Sequence, residues 1–160
     1  EYLSSLELLS SLRLCSNVAG QWAVQTALGG YQSIKELVGQ GGRLAESRKA
    51  IIEGVARSKY LYLTPPRGAM YAFIGVQTEH LPEFDDRRFA MDLLEHKHVL
   101  VAPGTSFNVP YNTHFRITNL PEPTVLADVF TRIEELLDNY AAGDQPVSRP
   151  SPLRVVDKSR

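Results

Sequence analysis

The amino-acid sequence predicts an α/β fold, a two-layer sandwich in which helices pack on a small mixed sheet, with a helical segment at the N-terminus. Two observations support this prediction. Apolar residues recur at helical spacing through most of residues 1–58, whereas residues 60–64 alternate tyrosine and leucine as a strand does. Later in the chain a helical pattern leads directly into another strand-like run, which is typical of a sheet with helices packed against it.

Four helices are predicted before the first strand. Leucines at near-helical spacing indicate the first helix, and paired glycines end the second and separate the third from the fourth. The first helix has no capping residue ahead of it, which suggests that the sequence begins partway through a larger chain. The predicted helices cover residues 1–14, 18–28, 31–38 and 43–58. In the fourth, the residues expected to point inward are Leu44, Ile51, Ile52 and Val55, with Lys49 and Arg57 exposed to water.

Strands and helices then alternate. The segment Pro65-Pro66-Arg67-Gly68 forces a turn between the first two strands, which predicts a β-hairpin. The predicted strands cover residues 60–64, 69–76, 99–101 and 115–118, and the remaining helices cover residues 85–96 and 124–140. The core positions expected in these two helices are Phe89, Leu93, Leu94, Val125, Val129, Ile133, Leu136 and Leu137. Residues 142–160 are rich in proline and poor in large apolar side chains, so a tail is expected there.

Composition limits the classes of partner and the compartment. Seventeen basic and eighteen acidic residues give a net charge of -1, so neither nucleic acid nor an anionic membrane is expected as a partner. No apolar run approaches the roughly 20 residues that a membrane helix needs, and the N-terminus lacks a signal-peptide pattern. The single cysteine, Cys15, has apolar neighbours that favour a buried hydrophobe over a nucleophile. A single cysteine rules out an internal disulfide, which is consistent with a reducing compartment, and the cytoplasm is the default expectation.

Spacing alone gives no complete set of catalytic or metal-binding residues. His96 and His98 form the only close pair of histidines, no cysteine can join them, and the other two histidines lie in separate loops, so no metal site is expected. No Gly-x-Ser-x-Gly motif occurs, and the loop at Gly104-Thr105-Ser106 lacks the lysine of a phosphate-binding loop. The pair Asp85-Asp86 opens a predicted helix, where negative charge favours the helix dipole, so its expected role is structural.

The most informative stretch runs from Val99 to Asn119 and contains one arginine, Arg116. The strand pattern of residues 115–118 places Phe115 and Ile117 on one face and Arg116 on the other. If the outer face meets a cleft, the planar guanidinium could bind a carboxylate through two parallel hydrogen bonds. From spacing alone, a solvated strand arginine is the more ordinary interpretation.

Six short motifs occur in an order that resembles class I pyridoxal-phosphate aminotransferases, the fold type I family. Together they extend from Leu12 to about Tyr140, and they are most similar to the bacterial glutamate-pyruvate (alanine) aminotransferase branch. Each motif alone is weak, but six in the same order are specific. The motifs are LRLCSNV at residues 12–18, AVQTALGGYQSI at 23–34, GRL at 42–44, PRGAMYAF at 66–73, PGTSFN at 103–108 and HFRIT at 114–118.

The resemblance implies that residues 1–30 are interdomain helices and that residues 31–141 form the small, C-terminal domain of an aminotransferase. In that family the missing large domain holds the Schiff-base lysine and the groups that bind pyridoxal phosphate. We therefore assign no catalytic and no cofactor-binding residue here, because none of the lysines stands in the family's Schiff-base motif. These lysines are Lys35, Lys49, Lys59, Lys97 and Lys158.

One role carries across from the family. Arg116, in the HFRIT motif, matches the arginine that binds the α-carboxylate of the substrate. The resemblance thus implies an enzyme that transfers an amino group between an amino acid, alanine or glutamate, and a 2-oxo acid, and that acts as a homodimer. The sequence departs from the family at Ala19, where proline is usual, and in the proline-rich tail, which has no counterpart.

An alternative from another class is a non-catalytic binding or adaptor module that keeps the aminotransferase C-terminal fold. The uncapped first helix argues against a free-standing module. The two hypotheses differ in what precedes residue 1: a large domain with a Schiff-base lysine is expected for the enzyme, and a nearby start codon for the module. On the enzyme hypothesis, these 160 residues alone are expected to be inactive.

Overall fold

The computed structural model describes residues 1–12 and 17–143. The predictions for Cys15, and those for the tail beyond residue 143, fall outside the described residues. The helices are α1 (Tyr2–Ser11), α2 (Val18–Gly29), α3 (Ser33–Val38), α4 (Arg43–Arg57), α5 (Asp86–Lys97) and α6 (Pro123–Ala141), with a 3-10 turn at Gly104–Phe107. The strands are β1 (Leu61–Leu63), β2 (Tyr71–Val76), β3 (Ala102–Pro103) and β4 (His114–Thr118).

The chain divides into two compact units, Glu1–Gly42 and a second that begins at Arg43. The first unit contains α1, α2 and α3, and among the residues described in these three helices none is buried. Their large apolar side chains are exposed, with Trp22 at 82% and Leu28 at 80%. Helix α2 begins at a defined cap, because the side chain of Asn17 accepts a hydrogen bond from the amide of Gly20 at 3.0 Å.

The second unit is an α/β sandwich of two layers, as the sequence predicts. Its sheet has the strand order β1-β2-β4-β3. The inner face carries Ala72, Ile74 and Val76 from β2 and Phe115 and Ile117 from β4, all buried. Against this face pack helices α4, α5 and α6, whose central side chains, Ile51, Phe89 and Ile133, are fully buried.

The strand directions differ from the mixed sheet that the sequence suggested. Each of the three strand pairs in the described residues is antiparallel. Helix α5 does connect two strands that run in the same direction, β2 and β3, as a helical crossover usually does. However, β4 lies between these strands and pairs with both, so the two parallel strands are not neighbours.

The strand predicted at residues 99–101 lies three residues further along, at Ala102–Pro103. Val99 cannot join the ladder, because its amide donates to the carbonyl of Leu93 at the end of α5, at 3.2 Å. The preceding residue, His98, turns the chain out of the helix in a left-handed conformation, with φ at 55°. Val99 and Val101 are nevertheless buried, which is why the segment has the composition of a strand.

Two predicted core positions are wrong, both by one position on a helix. Leu94 of α5 is 40% exposed and Val125 of α6 is 50% exposed. In α6 the buried stripe is instead Leu126, Phe130, Ile133 and Leu137, together with Leu136. Leu94 follows the buried Leu93 and Val125 precedes the buried Leu126, so each is rotated about 100° around its helix axis from a core residue and lies toward solvent. The predicted hairpin and the exposure of Lys49 and Arg57 are confirmed.

Candidate functional site

Arg116 lies on the outer face of the sheet, opposite the helices. Its neighbours in β4, Phe115 and Ile117, are 0% and 7% exposed and face the core, as the alternation predicts. The side chain of Arg116 is half-buried, so it is neither in the core nor fully solvated. In register with it across the sheet are Phe73 of β2 and Ala102 of β3.

Two aromatic rings hold the guanidinium of Arg116. Its Cζ lies 4.3 Å from the ring centroid of Tyr71 and 4.3 Å from that of Phe107. We call this arrangement of Arg116, Tyr71 and Phe107 the aromatic clamp. A cation–π contact engages the positive charge of the guanidinium, and its N–H donors can still bind another ligand. Within residues 1–12 and 17–143, no carboxylate forms an ion pair with Arg116.

The clamp borders an open concavity of about 440 Å³. Arg116, Tyr71 and Thr118 line it from the sheet, and Leu100 and Leu120 line it as well. Leu100 is 79% exposed although it is a large apolar residue. An arginine that lies beside apolar side chains, and that no carboxylate of the described residues pairs with, is suited to a ligand that carries a carboxylate next to an apolar group.

Phe107 of the clamp is supported by further aromatic rings on the same face. Phe73 contacts Phe107 edge to face, with centroids 6.0 Å apart, and His114 stacks on Phe73 at 5.1 Å. The ring of Tyr62 lies over Gly75, where any Cβ would be only 2.2 Å from it, and meets the edge of His114 at 5.5 Å. This packing lowers the pKa of His114 by removing its ring from water, and the charge of Asp86 opposes the shift only in part.

The histidine ring gives a pH-dependent prediction. Since the pKa of His114 in the fold is below its ordinary value of 6.5, the unfolded chain binds the proton more readily. The stabilisation from neutral His114 is complete above pH 6.5 and is lost as the pH falls toward the lowered pKa. Proton NMR of the ring should give a titration midpoint below 6.5, and the unfolding free energy of His114→Gln should fall less on acidification than that of the wild type. A midpoint at or above 6.5 contradicts this account.

Asp85 and His98, two titratable residues considered above, mark the two ends of helix α5. Asp85 caps helix α5, and its Oδ1 accepts hydrogen bonds from the amides of Arg87 and Arg88 at 3.1 and 2.9 Å. The bond from Arg88 is the main reason that the pKa of Asp85 is lowered. His98 ends the same helix. In the part of the chain that the structure describes, no three histidine, cysteine, aspartate or glutamate side chains are grouped as metal ligands.

Two members of the clamp, Tyr71 and Phe107, were not identified as site residues from the sequence. Tyr71 lies in β2, two positions before Phe73, so strand alternation places both on one face of the sheet. Phe107 comes from a turn that reaches the sheet only through the tertiary fold.

No described helix combines the length and the apolar character that crossing a membrane requires.

Comparison with known proteins identifies the family. The profile described as aminotransferase class I and II matches residues 1–131. The chain belongs to this family. Glutamate-pyruvate aminotransferase AlaA of Escherichia coli is 40% identical to it over 139 residues, which are 87% of this chain and 34% of AlaA. Alanine aminotransferase of Mycobacterium tuberculosis is 38% identical, over 87% of this chain and 32% of its own length.

A solved structure gives the same result for the fold. The chain superposes on a crystal structure of an Escherichia coli aminotransferase with a TM-score of 0.75 and 39% sequence identity. The match covers 88% of this chain and 35% of that protein. This aminotransferase chain therefore spans about a third of the length of the relatives it matches.

Proposed function

We propose that this chain is part of an enzyme that uses pyridoxal phosphate to transfer an amino group between an amino acid and a 2-oxo acid. Within that enzyme, Arg116 binds the α-carboxylate that both substrates carry. The observation that supports this role is the aromatic clamp, which holds the guanidinium beside a concavity while no carboxylate of the described residues pairs with it.

The guanidinium of Arg116 suits a carboxylate better than the point charge of a lysine would. A guanidinium presents two parallel N–H groups that match the two oxygens of a carboxylate, and these charge-assisted bonds are short and directional. Two rings, each 4.3 Å from the guanidinium carbon, restrict the motion of the side chain before the ligand arrives, which lowers the entropic cost of binding. The clamp therefore supplies orientation as well as charge.

Pyridoxal phosphate supplies the electron sink for amino-group transfer when it is bound. We propose that its attachment site lies outside the second unit, where the amine of each described lysine lies near a carboxylate. Lys49 pairs with Glu53 at 3.9 Å, Lys59 with Asp138 at 3.5 Å and Lys97 with Glu135 at 2.6 Å. We propose that another part of the enzyme holds the cofactor and that this chain contributes substrate binding.

The names of the relatives suggest the substrates. AlaA is named for glutamate and pyruvate, and the Mycobacterium tuberculosis relative for alanine. We propose alanine or glutamate as the amino donor, with the matching 2-oxo acids as acceptors. We also propose that residues 1–30 join a small domain at 31–141 to a large domain, which accords with the exposed apolar side chains of α1 and α2. A cytoplasmic homodimer completes the proposal.

An assay of the complete enzyme and of these 160 residues alone tests the proposal. With pyridoxal phosphate, L-alanine and 2-oxoglutarate, the complete enzyme should form pyruvate and glutamate. The 160 residues alone should form neither product, and borohydride should not trap the cofactor on a specific lysine. The matched control is the complete enzyme treated in the same way with borohydride, which should retain the cofactor.

Two results would contradict the proposal. Saturable, borohydride-trapped cofactor on one lysine of the 160-residue chain would show that the attachment site lies within it. A complete protein that binds amino acids but never transfers the amino group would favour the non-catalytic binding module instead.

A further inference from the structure

The first turn of helix α5 contacts the turn that carries Phe107. Asp86, the first residue of α5, is completely buried. Its Oδ2 accepts a hydrogen bond from the backbone amide of Thr105 at 2.6 Å, and its Oδ1 lies 3.3 Å from the Thr105 hydroxyl. Arg87 adds a bond from its Nε to the same hydroxyl at 3.2 Å. A buried carboxyl group thus holds the second residue of the Gly104–Phe107 turn.

The same helical turn also holds the far end of the loop. The amide of Asp86 donates to the carbonyl of Asn112 at 3.1 Å. The side-chain amide of Asn112 in turn donates to Oδ2 of Asp85 at 3.2 Å. Both ends of the loop at residues 104–113 are therefore hydrogen-bonded to the start of α5, and β4 begins directly after the loop at His114.

Gly104 brings this turn directly onto β4. A Cβ at residue 104 would lie 2.6 Å from the backbone oxygen of His114, so only glycine allows the approach without a shift of the strand. Three residues later Phe107 reaches the guanidinium of Arg116 at 4.3 Å. Asp86 is thus linked to Arg116 through one hydrogen-bonded turn and the aromatic ring of Phe107.

We propose that Asp86 is a positioning residue for substrate binding: it fixes the turn that places Phe107 on Arg116 and so orients the guanidinium toward the α-carboxylate. This inference rests on the proposed function of Arg116. A carboxyl group suits the task because it offers two acceptors to two donors of Thr105 in a place that water does not reach. An apolar side chain there would remove the partner that the amide of the partly buried Thr105 has in Asp86.

Loss of this anchor should reduce recognition of the carboxylate rather than the chemistry in general. Without a fixed turn, the guanidinium loses its contact with the ring of Phe107 and the side chain samples further orientations. In the complete holoenzyme, Asp86→Ala should lower kcat/KM for the amino acid on the order of tenfold. It should leave kcat/KM for the corresponding decarboxylated amine nearly unchanged, so the preference for the acid falls by the same factor.

The matched control is Asp92→Asn. Asp92 is a second fully buried carboxyl group of helix α5, but it contacts Tyr140 at 2.6 Å and Arg88 at 3.6 Å, away from the turn. Asp92→Asn should perturb the helix without changing the preference for the acid. Asp86→Asn should retain most of that preference, because an amide can still accept from the Thr105 amide and donate to its hydroxyl.

A second measurement does not depend on activity. The amide of Thr105 should be protected from hydrogen exchange in the wild type, in Asp86→Asn and in Asp92→Asn, and should exchange faster in Asp86→Ala. Should Asp86→Ala fail to fold, Phe107→Ala replaces it, since Phe107 is 37% exposed and its loss removes only the ring. That variant should lose the preference for the acid in the same way.

Arg116→Lys in the same assay separates this inference from the proposed function. If Arg116→Lys keeps the preference for the acid, the assignment of Arg116 itself is wrong. If Arg116→Lys loses the preference while Asp86→Ala or Phe107→Ala keeps it, the role of Asp86 is overturned and that of Arg116 stands. An equal loss in Asp92→Asn also overturns the inference, since the effect would then come from weakening of the helix.

Discussion

Arg116→Lys and Arg116→Ala in the complete enzyme should lower kcat/KM for the amino acid by on the order of a hundredfold or more. Each hydrogen bond between charged groups contributes about 1.5–3 kcal/mol, and two such bonds to the α-carboxylate are lost. Lysine should not restore activity, because a point charge cannot form the paired contact. The measurement is half-reaction kinetics with an amino acid.

The decarboxylated amine is the control substrate for this prediction. It has no α-carboxylate, so its kcat/KM should be low in the wild type and little changed in both Arg116 variants. Two results would contradict the assignment: a wild type that does not prefer the acid over the amine, or variants that keep the wild-type preference. Arg116 would then be a solvated strand residue, as spacing alone suggested.

Phe89→Ala should lower the free energy of unfolding by about 3–5 kcal/mol, the usual cost of removing a buried phenylalanine. The ring of Phe89 is fully buried at the centre of the second unit. Its centroid lies 5.3 Å from that of Phe84, 5.1 Å from that of Phe115 and 6.4 Å from that of Tyr140. Truncation therefore leaves a cavity among the helix layer, the sheet and the end of α6.

Urea denaturation followed by circular dichroism measures this loss. Met91→Ala is the matched control, because Met91 lies two positions further along the same helix and is 51% exposed. Its unfolding free energy should change by no more than about 0.5 kcal/mol. Equal losses in the two variants would show that Phe89 is not the centre of the core.

The periodicity of the sequence determined most of the secondary structure and the face on which Arg116 lies. Alternation in a strand fixes which side chains share a face, whatever the strand pairs with, so Phe115 and Ile117 had to oppose Arg116. The cap of α5 was equally local, since Asp85 accepts hydrogen bonds from amides two and three residues ahead. Recognition of the family likewise required only short motifs in order.

Tertiary structure decided what lies beside Arg116 and how the sheet is ordered. No local period shows that β4 inserts between β2 and β3, because strand neighbours are set by packing across the whole unit. The burial of Asp86 inside a polar stretch follows from its contact with Thr105, which is distant in sequence. The clamp joins Tyr71, Phe107 and Arg116 from two strands and a turn, so sequence could place the arginine on its face but only the fold could bring the rings to it.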